Sequence, residues 1–156
     1  MRLFAGDLDG SRSYGEQCLA GTRALGERWY ESQILRTLAL TSMLQGRYQQ
    51  AEDELRECLD VALELGDMAG VALDLDRLGQ AAVALGRPER AVVVAGAASR
   101  LRESVGGGLT VESGRWETEH PRDAARRLLA DSDIDRAWAQ GRAMSLEDAL
   151  AYARTR

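Results

Sequence analysis

The residues best suited to chemistry are two cysteines, one histidine and 25 acidic side chains, and their spacing does not assemble a catalytic centre. Cys18 and Cys58 lie on apolar faces of predicted helices, where burial raises the pKa of a thiol and makes it inert. His120 stands beside Pro121 in a predicted surface connection, with no cysteine or histidine at metal-ligand spacing. A general acid needs a pocket that shifts its pKa, and the carboxylate pattern predicts none. We therefore expect no enzymatic activity, no metal and no cofactor.

Three consecutive glycines, Gly106 to Gly108, are the remaining candidate for chemistry, because glycine-rich loops can cradle a phosphate. Such a loop needs a helix that begins directly after it and usually a cation nearby, and the sequence predicts neither here. We interpret residues 104–121 as an irregular connection that leaves a helix.

The composition is typical of one compact globular domain, since the 156 residues are 45% apolar and 29% charged. All 20 cations are arginine and they stand against 25 acids, so the formal charge of −5 repels nucleic-acid phosphates and anionic membranes. Two cysteines are too few to staple a domain of this size. Residues 1–7 lack the apolar core of a signal peptide, and no stretch is apolar for long enough to span a bilayer. We expect a cytoplasmic protein with no direct nucleic-acid or membrane partner.

The sequence repeats itself at a shift of 40 residues, and this repeat is its most informative feature. Two glycine series, 6/46/86 and 26/66/106, place a glycine at every twentieth position. Other residues keep the same register: Cys18 matches Cys58, Leu38 matches Leu78, and Ala51 matches Ala91. Helical units of one length, each ending at a glycine, explain such a pattern.

The elements that must position any site are helices, because apolar residues between the glycines recur at intervals of three or four. Each glycine is predicted to follow a helix end, where a left-handed backbone is needed. Pro88 suits the first position of a helix, and Ser145 with Asp148 resembles a capping box. The predicted helices span 8–25, 29–45, 48–65, 69–85, 88–104, 121–130, 133–140 and 146–154.

The predicted helix over 48–65 carries six acids against Arg56 alone, on the side opposite its apolar stripe. A charge run on an outer helix usually serves solubility, and we interpret this face as solvated. Docking of a basic partner is the alternative.

The repeat resembles the tetratricopeptide repeat in a lengthened form, whose usual unit has about 34 residues. Leu38–Ala39 and Leu78–Gly79 match the large and small pair of the first helix, while Ala51 and Ala91 match the small residue where paired helices touch. The resemblance implies an all-α fold of antiparallel helical hairpins. It further implies that the hairpins stack as a short right-handed solenoid with a helical C-terminal cap.

The tail narrows the resemblance, because residues 136–150 contain an Ala-Trp-Ala-x-Gly-Arg segment after the long repeats. In this the chain is similar to the C-terminal end of actinobacterial regulators of the LuxR/AfsR kind, which carry a signalling ATPase module. The regulator's other motifs are not found: a chain without lysine holds no Gly-x-x-x-x-Gly-Lys phosphate loop, and no basic helix-turn-helix segment is present. We expect repeats over 1–104 with the first one incomplete, an irregular connection over 105–120, and a cap over 121–156.

Repeat proteins of this kind bind partners on the face formed by the first helix of each pair. Apolar and polar residues on that face are predicted to hold a protein or peptide, with Arg36 or Asp76 fixing its direction. The alternative is that the chain's own tail fills this groove. The candidate groove residues are Trp29, Gln33, Arg36, Leu40, Met43, Leu73, Asp76, Gln80 and Val83.

The incomplete first repeat leaves an apolar surface without a partner helix, which is typical of an interface. We expect self-association into a homodimer there, unless upstream repeats cover the surface. The predicted residues are Leu3, Phe4, Leu8, Tyr14 and Leu19.

Three functions follow from these patterns. The first is a non-catalytic sensing or protein-interaction part of a transcriptional regulator, or a free-standing remnant of one. The second is an autonomous homodimeric scaffold. The third is a helical sensor that holds a small inducer among Trp29, Gln33 and Arg36.

Overall fold

The computed structural model describes residues 7–105 and 119–155, and every regular element in those ranges is a helix. The all-α prediction is therefore confirmed. The helices are α1 (Leu8–Leu25), α2 (Arg28–Leu44), α3 (Tyr48–Glu64), α4 (Met68–Ala84), α5 (Pro88–Ser104), α6 (Pro121–Ala125), α7 (Asp131–Ala143) and α8 (Leu146–Arg154).

A glycine follows the end of each of α1 to α4, as the repeat predicted. Gly26, Gly46, Gly66 and Gly86 have φ between 67° and 73°, a left-handed conformation that costs glycine little. At the second of these turns the N–H of Gly46 donates to the carbonyl of Met43 at 3.0 Å, and that of Arg47 donates to Ser42 at 2.8 Å. These two bonds satisfy carbonyls that the helix end would leave unpaired. Gly6 and Gly106 lie outside the described residues.

The first of two compact units, Met1–Asp67, holds α1, α2 and α3. Helix α2 packs against both of the others. Cys58 is fully buried, as predicted, and its thiol donates to the carbonyl of Ser32 at 3.3 Å, which ties α3 to α2. The same prediction was wrong for Cys18, which is partly exposed. The core of this unit contains Leu19, Leu35, Leu38, Cys58 and Val61.

The second unit, Met68–Arg156, is organised around α5, which packs against α4 and α7 and has no solvent-facing side through its middle. A helix that is apolar all round must be covered on every side. Ser145 begins α8 as predicted, since its Oγ accepts the N–H of Asp148 at 3.0 Å. The core residues are Val92, Val93, Ala125, Ile134 and Ala137.

Two predicted helix lengths in this unit are corrected. The helix predicted over 121–130 ends at Ala125, and α7 spans Asp131–Ala143 rather than 133–140. After Ala125 the chain tightens into a turn in which the N–H of Leu128 donates to the Ala125 carbonyl at 2.9 Å. Leu129 packs against the core, whereas Leu128 is exposed.

Candidate interaction surfaces

The groove residues of α2 differ widely in exposure. Trp29 is 55% exposed, Gln33 and Leu40 are half-buried, and Met43 is buried. Arg36 is also buried, and its Nη2 lies 3.4 Å from Oδ2 of Asp67 in the same unit. Arg36 thus has a partner at the end of its own unit, and Trp29 is the one exposed residue among these five.

The groove residues of α4 are Leu73, Asp76, Gln80 and Val83, of which Leu73 is exposed and the others are half-buried. Oδ2 of Asp76 pairs with the guanidinium of Arg102, and its buried Oδ1 has no hydrogen-bond partner among the described residues. Burial raises the pKa of Asp76, and the charges of Arg102 and His120 oppose that rise. Asp76 is held within the unit, as Arg36 is in the other.

The segment that begins α6 covers part of α4. A Cβ added to Gly79 would lie 3.0 Å from Cγ of Pro121 and 3.1 Å from the carbonyl oxygen of Ala91, so proline fits against α4 only because position 79 is glycine. His120 is half-buried, whereas the sequence predicted a surface histidine. Its Nδ1 accepts the N–H of Arg122 at 3.2 Å. The chain's own tail therefore contacts α4 at Gly79, which lies in the sequence between the candidate groove residues Asp76 and Gln80.

The Ala-Trp-Ala-x-Gly-Arg segment closes the second unit against α5. A Cβ on Gly141 would lie 1.9 Å from the carbonyl oxygen of Val93, so the two helix backbones touch there. Arg142 forms two hydrogen bonds with the carboxylate of Glu103, at 2.6 and 2.9 Å. The ring of Trp138 lies under the guanidinium of Arg122, with 4.9 Å from the guanidinium carbon to the ring centroid. Capping of the last repeat, the role we favoured for this tail, accounts for these contacts.

The acidic side of α3 is largely neutralised inside its own unit. Glu54 accepts Arg12 Nη2 at 2.8 Å, Arg23 pairs with Glu57, and Arg28 pairs with Glu64. Arg56 adds pairs to Glu52 and Asp53, both at 3.0 Å. We name this set, with Arg12, Arg23, Arg28 and Arg56 as its cations, the α3 ion-pair ladder. A free acidic patch for a basic partner is not what the described residues form.

Glu31 on α2 pairs with Arg23 and Arg28 of the same ion-pair ladder, and its charge makes the stability of the fold depend on pH. It is 3% exposed, and burial alone would raise its pKa, but hydrogen bonds from Arg23 at 2.9 Å and Arg28 at 2.5 Å outweigh burial and lower it. Because the pKa of Glu31 is lowered in the folded protein, its charge stabilises the fold at pH values above its ordinary pKa of 4.5. That stabilisation is lost as the pH falls through the pKa of Glu31 in the folded state. We expect Glu31→Gln to cost about 1–2 kcal/mol at neutral pH.

The free energy of unfolding, measured by urea denaturation from pH 7 to pH 3, checks this. The gap between Glu31→Gln and the wild type should narrow as the pH falls below 4.5. Glu147→Gln changes an exposed acid and should follow the wild-type curve throughout. A gap that stays constant with pH would contradict the assigned charge state of Glu31.

One exposed aromatic pair was only half predicted. Trp29 and Tyr30 are 55% and 56% exposed, and their rings meet edge to face with centroids 5.0 Å apart. The groove prediction contained Trp29 but not Tyr30, because an i, i+1 pair does not share a helix face. The available signal was their position directly after the Gly26 turn, where the first turn of α2 is uncovered on more than one side.

The residues predicted to self-associate separate into different environments. Tyr14 is 65% exposed and Leu8 is half-buried, whereas Leu19 is 9% exposed and belongs to the core between α1 and α2. Leu19 thus lies on the opposite side of the α1 backbone from a docking surface. Leu3 and Phe4 lie outside the described residues.

Metal-ligand clusters and cavities were the remaining candidates for a small-ligand site. Among the described residues no three His, Cys, Asp or Glu side chains gather as a metal site. Cavities of about 540 and 200 Å³ lie in the second unit. Arg90 lines the larger, where its guanidinium donates to the carbonyl of Ala153 at 3.0 Å and stacks on Tyr152. Neither cavity includes Trp29, Gln33 or Arg36, the residues considered for an inducer.

Comparison with known proteins supports the repeat and shows similarity to proteins named as transcriptional regulators. The tetratricopeptide repeat family matches residues 30–104, from the first turn of α2 to the end of α5. Proteins named HTH-type transcriptional regulator, one from Mycobacterium bovis and one from each of two strains of Mycobacterium tuberculosis, are 27% identical over 155 residues, which is 98% of this chain. The chain spans 17% of the length of each of these relatives. No solved structure matches the chain.

No helix within 7–105 or 119–155 has the length and apolar character that crossing a membrane requires.

Proposed function

We propose that this chain is the protein-interaction part of a transcriptional regulator of the LuxR/AfsR kind, or a free-standing remnant of one. The tetratricopeptide match over residues 30–104 supports a binding role, since such repeats present surfaces to other proteins. The names of the mycobacterial relatives support the regulatory setting. In this proposal the chain binds a protein partner and leaves DNA contact and ATP hydrolysis to other parts of the regulator.

Exposure of Trp29 and Tyr30 is the observation that carries the proposal. Each ring leaves more than half of its surface in water, although the chain has only three tryptophans, four tyrosines and one phenylalanine. Large aromatic side chains contribute most of the binding energy at many protein interfaces, because they bury much area with few rotatable bonds. The pair is a rigid apolar anchor at the start of α2.

Polar groups near Trp29 and Tyr30 would fix the direction in which a partner segment binds. Gln33 lies one helical turn after Trp29 and is half-buried, so its amide is positioned to bond the backbone of a bound segment. Arg28 and Glu64 pair with each other next to the aromatic rings and present balanced charge. A partner helix or peptide with an apolar anchor and few charges fits this surface. Arg36, buried and paired with Asp67, has no direct part in binding.

Site-specific photo-crosslinking in the cells that make this protein tests the proposal. With p-benzoylphenylalanine in place of Tyr30, we expect one protein adduct that disappears when the same chain carries Trp29→Ala. The same probe in place of Leu128, which is 57% exposed in the second unit, should not give that adduct. An adduct that survives Trp29→Ala, or none from position 30, would contradict the binding role.

The regulatory setting has its own readout. We expect the transcript profile of cells carrying Trp29→Ala to differ from wild type, and that of cells carrying Leu128→Ala to match it. Equal profiles for all three would remove the regulatory part of the proposal even where crosslinking succeeds.

A further inference from the structure

Helix α1 exposes an uncharged strip that no described helix covers. Tyr14, Cys18, Gly21 and Leu25 follow one another at intervals of four, three and four, which places them on one face of the helix. Tyr14 is 65% and Leu25 78% exposed, Cys18 is partly exposed, and a Cβ on Gly21 would meet nothing within 4 Å. We call these four residues the α1 strip.

Charge distribution around α1 sets the strip apart. Its flanking positions carry Gln17 and Ala24, both exposed and both uncharged. The charged residues of the helix (Asp9, Arg12, Glu16 and Arg23) lie toward the opposite side when each residue turns by 100°. A hydrogen bond with the Cys18 thiol raises the pKa of Tyr14. In a chain that is 29% charged, an uncharged exposed face of three turns is typical of a docking surface.

The repeat shows what such a face does elsewhere in this chain. A shift of 40 residues carries Cys18 onto Cys58 and Gly21 onto Val61. On α3 these positions are 0% and 2% exposed, and α2 covers them through the thiol bond to Ser32 and contacts in the core. At these two of its four positions the α1 strip therefore matches a surface that a neighbouring helix covers.

We propose that the α1 strip binds the α1 strip of a second copy of this chain, as an antiparallel pair of helices. The intervals of four and three are those of a coiled-coil seam. A twofold axis between residues 19 and 20 places Tyr14 opposite Leu25 of the second copy, and Cys18 opposite its Gly21. Each large side chain meets a complementary one, and the thiol fills the space that glycine leaves.

Absence of charge along the seam lets two copies of net charge −5 approach there, while Asp9, Glu16 and Arg23 stay exposed to water. The paired surface is a single helix pair, far below the area of an obligate dimer, so the dissociation constant should lie in the micromolar range. This inference does not rest on the proposed function, since the aromatic pair of α2 is not part of the seam.

Sedimentation over about a hundred-fold range of concentration tests the association. We expect a monomer–dimer equilibrium in the wild type that Gly21→Glu weakens by more than about ten-fold, because the seam would have to bury a charge. Ala20→Glu adds the same charge at an exposed neighbouring position that faces away from the strip, and should leave the equilibrium unchanged. A monomer at every concentration, or a dimer insensitive to Gly21→Glu, overturns the proposal.

Disulfide trapping tests the register. In a Cys58→Ser background, a Cys18→Ser, Gly21→Cys chain mixed with a chain that keeps Cys18 should form an intermolecular disulfide between positions 21 and 18 under mild oxidation, because the two Cα atoms face each other across the pair. Placing the two thiols on different chains avoids a disulfide within one chain, since positions 18 and 21 are one helical turn apart. The substitution fits the fold, since nothing lies within 4 Å of its Cβ. Ala20→Cys should remain largely uncrosslinked. Equal trapping at both positions would show that the dimer uses another surface.

Discussion

Replacing Gly141 with alanine is expected to unfold the second unit at temperatures where the wild type is stable. The new Cβ would lie 1.9 Å from the carbonyl oxygen of Val93 and 3.0 Å from the backbone nitrogen of Ala97, so α5 and α7 must separate to admit it. Neither obstacle is a side chain that could rotate away. We expect a loss of about 3 kcal/mol or more, near the upper end of single-substitution effects.

Glycines elsewhere in the chain provide matched controls for thermal denaturation followed by circular dichroism. A Cβ on Gly15 would meet the end of the Leu38 side chain at 2.8 Å, which can move, so Gly15→Ala should cost less. A Cβ on Gly21 meets nothing, so Gly21→Ala should be neutral or stabilising by up to about 1 kcal/mol through higher helix propensity. Equal effects at all three positions would show that helix propensity, rather than backbone contact, sets the outcome.

The second large effect is expected at Arg12, a buried cation that joins all three helices of the first unit. Its Nη2 lies 2.8 Å from Glu54 on α3 and also contacts Ser42 on α2, while Nη1 bonds Glu16 at 3.0 Å. These carboxylates raise the pKa of Arg12 although its burial opposes the rise. Arg12→Met would leave Glu54, whose side chain is 14% exposed, without its cation, at a cost of about 3 kcal/mol.

A double-mutant cycle in urea denaturation measures this. Arg12→Met combined with Glu54→Leu should recover much of the loss, because no unpaired charge then remains buried. Arg136→Met removes a cation whose pairs to Asp133 and Glu89 are exposed, and should change stability little. Additive losses in the cycle would mean that Arg12 acts through packing of its aliphatic stem alone.

Local rules predicted most of the fold from the sequence. Recurring glycines located four helix ends that the structure confirms, and Pro88 and Ser145 located two helix starts. Gly79 and Ala91, each predicted as a small residue of the repeat, lie close together where α4 packs on α5. Each of these features depends on residues near in sequence or on one repeat of fixed length, so the amino-acid sequence alone predicts it.

Candidate sites were predicted less well, because they depend on which distant side chains meet. Arg36 looks like a ligand residue by helical spacing, yet Asp67, 31 positions later, pairs with it. Leu19 and Tyr14 are both apolar residues of α1, and only the position of α2 determines that one is core and the other exposed. Pairing across helices follows from packing angles that periodicity does not contain.

The α3 ion-pair ladder has a consequence for how the first unit is made. Taken alone, the segment Tyr48–Glu64 holds six acids and a single arginine, and their mutual repulsion opposes helix formation. Arg12, Arg23 and Arg28 precede it in the chain, so a ribosome releases these cations before the carboxylates they meet. Synthesis from the N-terminus thus provides Glu54, Glu57 and Glu64 with counterions that are already present, and the order of translation matches the order in which the helices can pack.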